Sequence, residues 1–493
     1  MRIIILLAPD FRGFAGAAAL KPLRGLPRGI RMSAGEGEKM MEKRFAALVL
    51  ALLLAVSAGH AASSDAAEFP GHISGLFGFH EGIARYCDVN GMYGYIDDHW
   101  ETVSRAVWQH GEDFRNGFAR VYRSIAYGKE KYGFIDAEGN AAVDLVWDNA
   151  ADFEEGRAAV KLDGKWGFID TRGNLVSEPQ WDDTTWPYYF FKDGLARVHR
   201  DEKWGVIGLN GETVIEPQWD GMGLISEGFI GVRQGDLWGV IDLEGNFLSD
   251  LQWDGVKPFS CGLCAVERDG KYGFIDTRGE IALELQWDYA DSFREGLARV
   301  KKDGRWGFID TRGVLIGELQ WEDADAFSGG VALVSRDGKW GLIDSRGRIV
   351  SEPQWENRDW TIEEGFAKVS RDGKWGFLDL EGRIVSEPVW DWVVPFRDGL
   401  AVVEKDGKRG CIDTQGNVVI EPVWDFIDPF SEGLATVMQD GVCGCVDTAG
   451  NVVIRPSWYS ISGFHGGRAL VCERDQENGW RSFLIDRQGN PVS

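Results

Sequence analysis

Cationic side chains are in short supply in this 493-residue chain: 53 Lys and Arg stand against 78 Asp and Glu, a formal net charge of −25. That balance argues against nucleic acid as a partner and against docking on an anionic membrane surface, since both select Lys/Arg clusters. Histidine is scarce too, at seven residues, and none stands in H-x-x-H or H-E-x-x-H spacing. No G-x-x-x-x-G-K-[ST], no dinucleotide-type G-x-G-x-x-G between strand and helix, and no G-x-S-x-G elbow occurs. Beyond residue 61 no segment carries a helical period or a capping box. The longest apolar run, Phe45 to Val56, has twelve residues, well short of the roughly 20 that span a bilayer.

What is present at the front reads as an address. Residues 1–39 look like an extension ahead of the true start at Met40 or Met41. Residues 40–61 then have Lys43 and Arg44, the apolar run, and small residues up to a cleavage point after Ala61, the layout of a secretory signal. Residues 1–61 hold nine basic and four acidic side chains, so their removal leaves the rest at −30. The expected location is exported: periplasmic, cell-surface or secreted, with no membrane insertion after cleavage. Residues 62–75 are a short linker, and 76–493 the array described next.

The seven cysteines are Cys87, Cys261, Cys264, Cys411, Cys443, Cys445 and Cys472. The lone C-x-x-C at Cys261–Cys264 has no second pair, no partner His and no βαβ context, so neither zinc nor redox chemistry is expected there. Calcium is not expected either, because Asp-Gly turns such as Asp163-Gly164-Lys165 are followed by a cation and no D-x-D-x-D-G run occurs. No metal, no cofactor and no catalytic residue is assigned.

Glycine (65 residues) and tryptophan (22) are in excess, and their spacing carries the fold. An aromatic–Gly pair recurs at Tyr93, Tyr132, Trp166, Trp204, Trp238, Tyr272, Trp306, Trp340 and Trp375, mostly 34 residues apart, and continues in altered form at Arg409, Cys443 and Ser482. A second Trp lies 15 residues after each of the first eleven: Trp108, Trp147, Trp181, Trp219, Trp253, Trp287, Trp321, Trp355, Trp390, Trp424 and Trp458. That makes about twelve units. Within Phe293–Asp323, Leu297 to Lys301 alternates as a half-buried strand. Asp303-Gly304 is a hairpin turn, Arg305–Asp310 a second strand, and Val314–Trp321 a third. Sister units place Pro in that third segment, as at Pro217 and Pro422, which predicts a strand end or sheet edge. Three short strands cannot bury a core alone, so the units must stack through their aromatic rows. The expected architecture is all-β, an open solenoid or superhelix of three-stranded units, with propeller-like rings as the alternative.

The motif D-G-K-W-G-F-I-D, verbatim at Asp163–Asp170, resembles the WG-repeat (KWG) family of bacterial proteins over essentially all of residues 76–493. The resemblance implies an all-β repeat protein, often exported, with a binding role. It brings no catalytic residues. Arg409 and Cys443 in place of the first Trp, and Gly208 in place of the usual Asp, depart from it and predict weaker stacking there.

Carboxylates are plentiful, but the strand-end Asp of W-G-F-I-D recurs eleven times, and a one-off active site is not built from a repeated residue. Each is expected to cap its turn by accepting backbone N–H groups. Cys411 and Cys445 occupy equivalent positions in neighbouring units, which suggests a disulfide between them, or between Cys411 and Cys443. Trp100, Trp186, Trp360, Trp392 and Trp480 fall outside both aromatic rows. Together with Tyr188 and Tyr189 beside Trp186, they offer candidate binding aromatics: rigid rings give large contact area at low entropy cost. Their other use would be to cap the core beneath irregular loops. The leading functional expectation is a binding scaffold for a protein or carbohydrate partner at the cell surface. A hydrolase of extracellular polymer using one-off acids near Trp186 or Trp360, and a structural spacer, are the alternatives.

Overall fold

The computed structural model describes residues 73–126, 129–182, 191–356, 362–475 and 479–492. These residues form twelve antiparallel sheets, or blades, each a meander with strands in chain order. In the seventh blade the strands are Tyr289–Ala290, Leu297–Lys302, Arg305–Asp310 and Leu315–Trp321. The sequence shows three of the four. The leading strand has only two residues, too few for alternation to be visible. The fourth blade has three described strands, because residues 183–190 lie outside the described set. The first strand begins at Ile73, slightly ahead of the expected start of the array. Among the described residues no helix is long and apolar enough to cross a membrane.

The local chemistry follows the expected rules. In the hairpin between second and third strands, Asp303 (φ 53°) and Gly304 (φ 79°) both take left-handed backbone, the demand of a type I′ turn. The residue at the first-row position pairs with the second-row Trp across the third and fourth strands, as Trp306 does with Trp321, and the ladder is irregular just beyond them. The Gly after the first aromatic makes room for that irregularity: a Cβ on Gly167 would sit 2.6 Å from the Ser177 carbonyl oxygen. The fourth strand has a neighbour on one side only, so Pro179, Pro217, Pro353, Pro388 and Pro422 cost the sheet little.

The cores lie between blades. Trp321 packs with Leu297 and Phe308 of its own blade and with Ala332, Val334 and Ile343 of the next. Trp287, Trp355, Trp390 and Trp424 repeat that arrangement. The second-row tryptophans Trp181, Trp219, Trp253, Trp287, Trp321, Trp355, Trp390 and Trp424 are all buried, whereas Trp166, Trp204, Trp238, Trp306 and Trp375 of the first row are half-buried and only Trp340 joins the buried set. At about 25 cal/mol per Å² and roughly 200 Å² per indole, each second-row Trp contributes about 5 kcal/mol of gross burial.

An open array of twelve blades has eleven such interfaces; here there are twelve. The last core joins Leu470 and Leu484 of the final blade to Ile73, Ala84, Tyr86, Ile96 and Trp100 of the first. The Trp100 indole N–H donates to the His465 carbonyl at 2.9 Å, the Ser482 hydroxyl to the Ile73 carbonyl at 3.3 Å, and Phe79 packs on the His465 ring at 4.0 Å between centroids. The repeats therefore close into one propeller-like ring, the alternative to the open superhelix. Trp100 holds the seam. It occupies a turn position that other blades give to Gly, at φ 67°. The final blade's fourth strand is Pro491–Val492, and Val492 packs against the same cluster as the indole.

Candidate functional site

The abundant carboxylates are structural. Asp310 Oδ1 accepts the N–H groups of Arg312 (3.0 Å) and Val314 (2.9 Å), and Asp170, Asp344, Asp413, Asp447 and Asp486 do the same in their turns. The hydrogen bond and charge of Arg312 hold Asp310 below the usual carboxylate range, and its backbone bonds add to this. The acid after each second Trp does more. Asp288 binds Lys271 of one blade at 2.5 Å and the Asp303 N–H of the next at 2.7 Å. Asp148, Asp182, Asp220, Asp391 and Asp425 make the same bracket.

A third device was not anticipated from the sequence. Glu295 precedes the Gly that leads into its second strand, and its carboxylate accepts the N–H groups of Gly329 (2.8 Å) and Gly330 (2.9 Å) in the next blade. Glu81, Glu155, Glu227 and Glu364 form the same latch to their following blades, and Glu432 accepts the second of its two bonds, from the Gly467 N–H. In the blades that receive it, that position holds Asn116, Asp193, Cys261, Gly329, Asp398 or Gly466. Glu thus alternates strictly with other residues, and the structural period is two blades. Comparing units in pairs would have exposed this; aligning single units does not.

The cysteines carry free thiols. Cys411 and Cys445 belong to different inter-blade cores, which is why the expected bridge between them is not formed, and burial pushes both thiols up to about 12. Cys443 is also free, so its alternative pairing with Cys411 is absent as well. Among the described residues, one group has metal-ligand spacing, Asp97, Asp98 and His99. It is a turn in which Asp97 already accepts the N–H groups of His99 and Glu101, and His99 Nδ1 lies 2.8 Å from Asp98.

Of the candidate binding aromatics, Trp186, Tyr188, Tyr189 and Trp360 lie outside the described residues, as does the Trp480 side chain. Trp100 is buried at the seam. Trp392 is 42 % exposed and opens the tenth blade. It stands where the repeat departs from itself. Arg409, in place of the first Trp, sets its guanidinium carbon 4.8 Å from the Trp392 ring and 4.9 Å from that of Phe426, which opens the eleventh blade and is 37 % exposed. Arg409 Nε donates to Glu404, its cross-strand partner, at 3.1 Å. Among the described residues its terminal nitrogens and the Trp392 indole N–H make no further hydrogen bond. At the same edge, the position before the second Trp changes from Gln, as at Gln320 and Gln354, to Val389 and Val423, both exposed. The acid after Trp458 becomes Tyr459, 60 % exposed. One sector of one edge, over blades nine to eleven, thereby sets exposed apolar and aromatic side chains around the Arg409–Glu404 pair.

The sequence profile that matches is the WG containing repeat, found ten times, at 132–166, 166–204, 204–238, 238–272, 272–306, 306–340, 340–375, 375–408, 410–443 and 444–476. The chain belongs to the WG-repeat family. Its ninth match begins just after Arg409, so the departure in this WG-repeat protein coincides with the edge of a matched unit. No curated protein matches the chain. Solved structures with some likeness include the computationally designed Ika8 protein, at 15 % identity over 54 % of this chain and 95 % of that one, TM-score 0.25. A eukaryotic initiation factor follows at 12 % identity over 59 % and 93 %, TM-score 0.28. BamB from Moraxella catarrhalis shows 14 % identity over 54 % and 93 %, TM-score 0.22. Likenesses this weak carry no functional argument.

Proposed function

We propose that this WG-repeat protein is an exported binding scaffold, whose ring presents the sector around Trp392, Arg409 and Phe426 to a carbohydrate or protein partner at the cell surface. The observation that supports this reading is local. Val389, Trp392, Val423, Phe426 and Tyr459 are 37–60 % exposed over three successive blades, where blades three to eight carry Gln before the second Trp. Exposed aromatics held by rigid sheets suit recognition, since little entropy is lost on contact. Export follows the signal-like segment at residues 40–61. The test is retention of cell-wall glycans and of purified surface proteins by the full chain and by a Trp392→Ala/Phe426→Ala variant. Loss of retention in the variant, with unchanged thermal unfolding, supports the scaffold; equal retention by both proteins refutes this site.

A further inference from the structure

The geometry of this sector points to a neutral saccharide chain as its ligand, an inference that rests on the scaffold reading above. Two partly exposed rings from neighbouring blades flank the Arg409 guanidinium, whose carbon lies 4.8 and 4.9 Å from their centroids, and the ring surface it leaves uncovered is open to the C–H faces of sugar rings. Between those rings the polar group is a matched pair. Glu404 cancels the charge of Arg409, yet the pair leaves terminal Arg N–H donors and a carboxylate lone pair side by side, 3.1 Å from Nε to carboxylate. Adjacent hydroxyls of a sugar, one accepting and one donating, satisfy both at once.

An anionic ligand fits less well on three counts. Two lysines of the same blades, Lys374 and Lys408, are already bound by Asp391 and Asp425. Seating a carboxylate on Arg409 would displace or crowd Glu404. The whole chain carries −25, and its field repels polyanions before contact. A protein partner would also find the rings, and the surface-protein arm of the test below reads that outcome.

The probes are four neutral hexasaccharides (β-1,4-glucan, β-1,3-glucan, β-1,4-mannan and chitin oligomers) and a hexagalacturonate, titrated into the full chain by calorimetry and Trp fluorescence. Saturable binding of at least one neutral oligomer is expected, changing less than twofold between 0.05 and 0.5 M salt. It should weaken at least tenfold in Trp392→Ala. The decisive variant is Arg409→Trp, which restores the residue that sister blades carry (Trp306, Trp375) and so preserves the sheet. It should lose binding at least tenfold while its unfolding midpoint does not fall. Tighter binding of the uronate oligomer, no binding of any neutral oligomer, or full binding by Arg409→Trp would overturn the inference. If no sugar binds but purified surface proteins are retained in a Trp392-dependent way, the saccharide assignment falls and the scaffold stands. If Trp392→Ala changes nothing that the chain binds, both fall.

Discussion

Trp100 is the residue on which ring closure can be tested. Its indole is 3 % exposed, lies in the core shared by the first and last blades, and donates to the His465 carbonyl. Trp→Ala in a core costs about 3–5 kcal/mol. Alanine would also inherit the left-handed backbone at φ 67°, so no strain is released. Glycine accepts that backbone freely, and Trp100→Gly should therefore be about 1 kcal/mol milder than Trp100→Ala. Urea unfolding gives the midpoints, and small-angle scattering gives the radius of gyration. Trp100→Ala should lower the midpoint and raise the radius, because a ring that opens at one seam swings its ends apart. Trp253→Ala, at an interior interface, should lower the midpoint comparably but leave the ends joined through their own contacts. A Trp100→Ala protein with unchanged midpoint and radius would refute closure through this contact.

Further outcomes follow from the same interfaces. Trp355, Trp390 and Trp253 donate their indole N–H to a Ser four residues earlier (Ser351, Ser386, Ser249), whereas Trp147 and Trp219 meet Val143 and Ile215 there and their buried N–H groups have no partner. Ser351→Ala should cost about 1–3 kcal/mol in chemical unfolding, and Ile215→Ser should recover part of its lost burial by satisfying Trp219. Glu295→Ala removes both acceptors of a latch and should lower the thermal midpoint, while Asp398→Ala, at the equivalent position of a receiving blade, should not; equal effects would discount the latch. The bracket carboxylates, Asp288, Asp391 and Asp425, are held below their ordinary range first by their lysines and then by a backbone N–H. Their contribution is complete above about pH 5 and is lost progressively as pH falls below about 4, so midpoints should drop on acidification. Asp428 runs the other way, since burial raises it. Asp428→Asn should therefore stabilise the ring at pH 7 and lose that advantage below pH 4.

Much of this fold was legible because its rules are local. Asp303-Gly304 can hardly be anything but a tight turn, Pro217 and Pro422 mark edge strands, and the invariant 15-residue interval between tryptophans reports a cross-strand pair. What escaped is what depends on pairs of distant units. Tyr289–Ala290 is too short to show a period. The seam between Trp100 and His465 joins residues 365 positions apart and uses a Trp where the repeat has Gly. Arg409 was legible as a departure but read only as weaker stacking; that its neighbours Trp392 and Phe426 stay exposed beside it needed three dimensions. The cysteines sit at equivalent repeat positions, yet equivalence put Cys411 and Cys445 in successive cores and not across one.

The alternating Glu latch sets a parity rule on the ring. A blade that donates a carboxylate must be followed by one that receives it, and around a closed circuit the two kinds match only if their number is even. An odd ring would be frustrated at one junction, with two carboxylates meeting or none. Growth or loss by one blade therefore leaves a mismatched junction, whereas growth or loss by two does not, and the heritable module of this protein is the pair of about 68 residues, of which six make the circle.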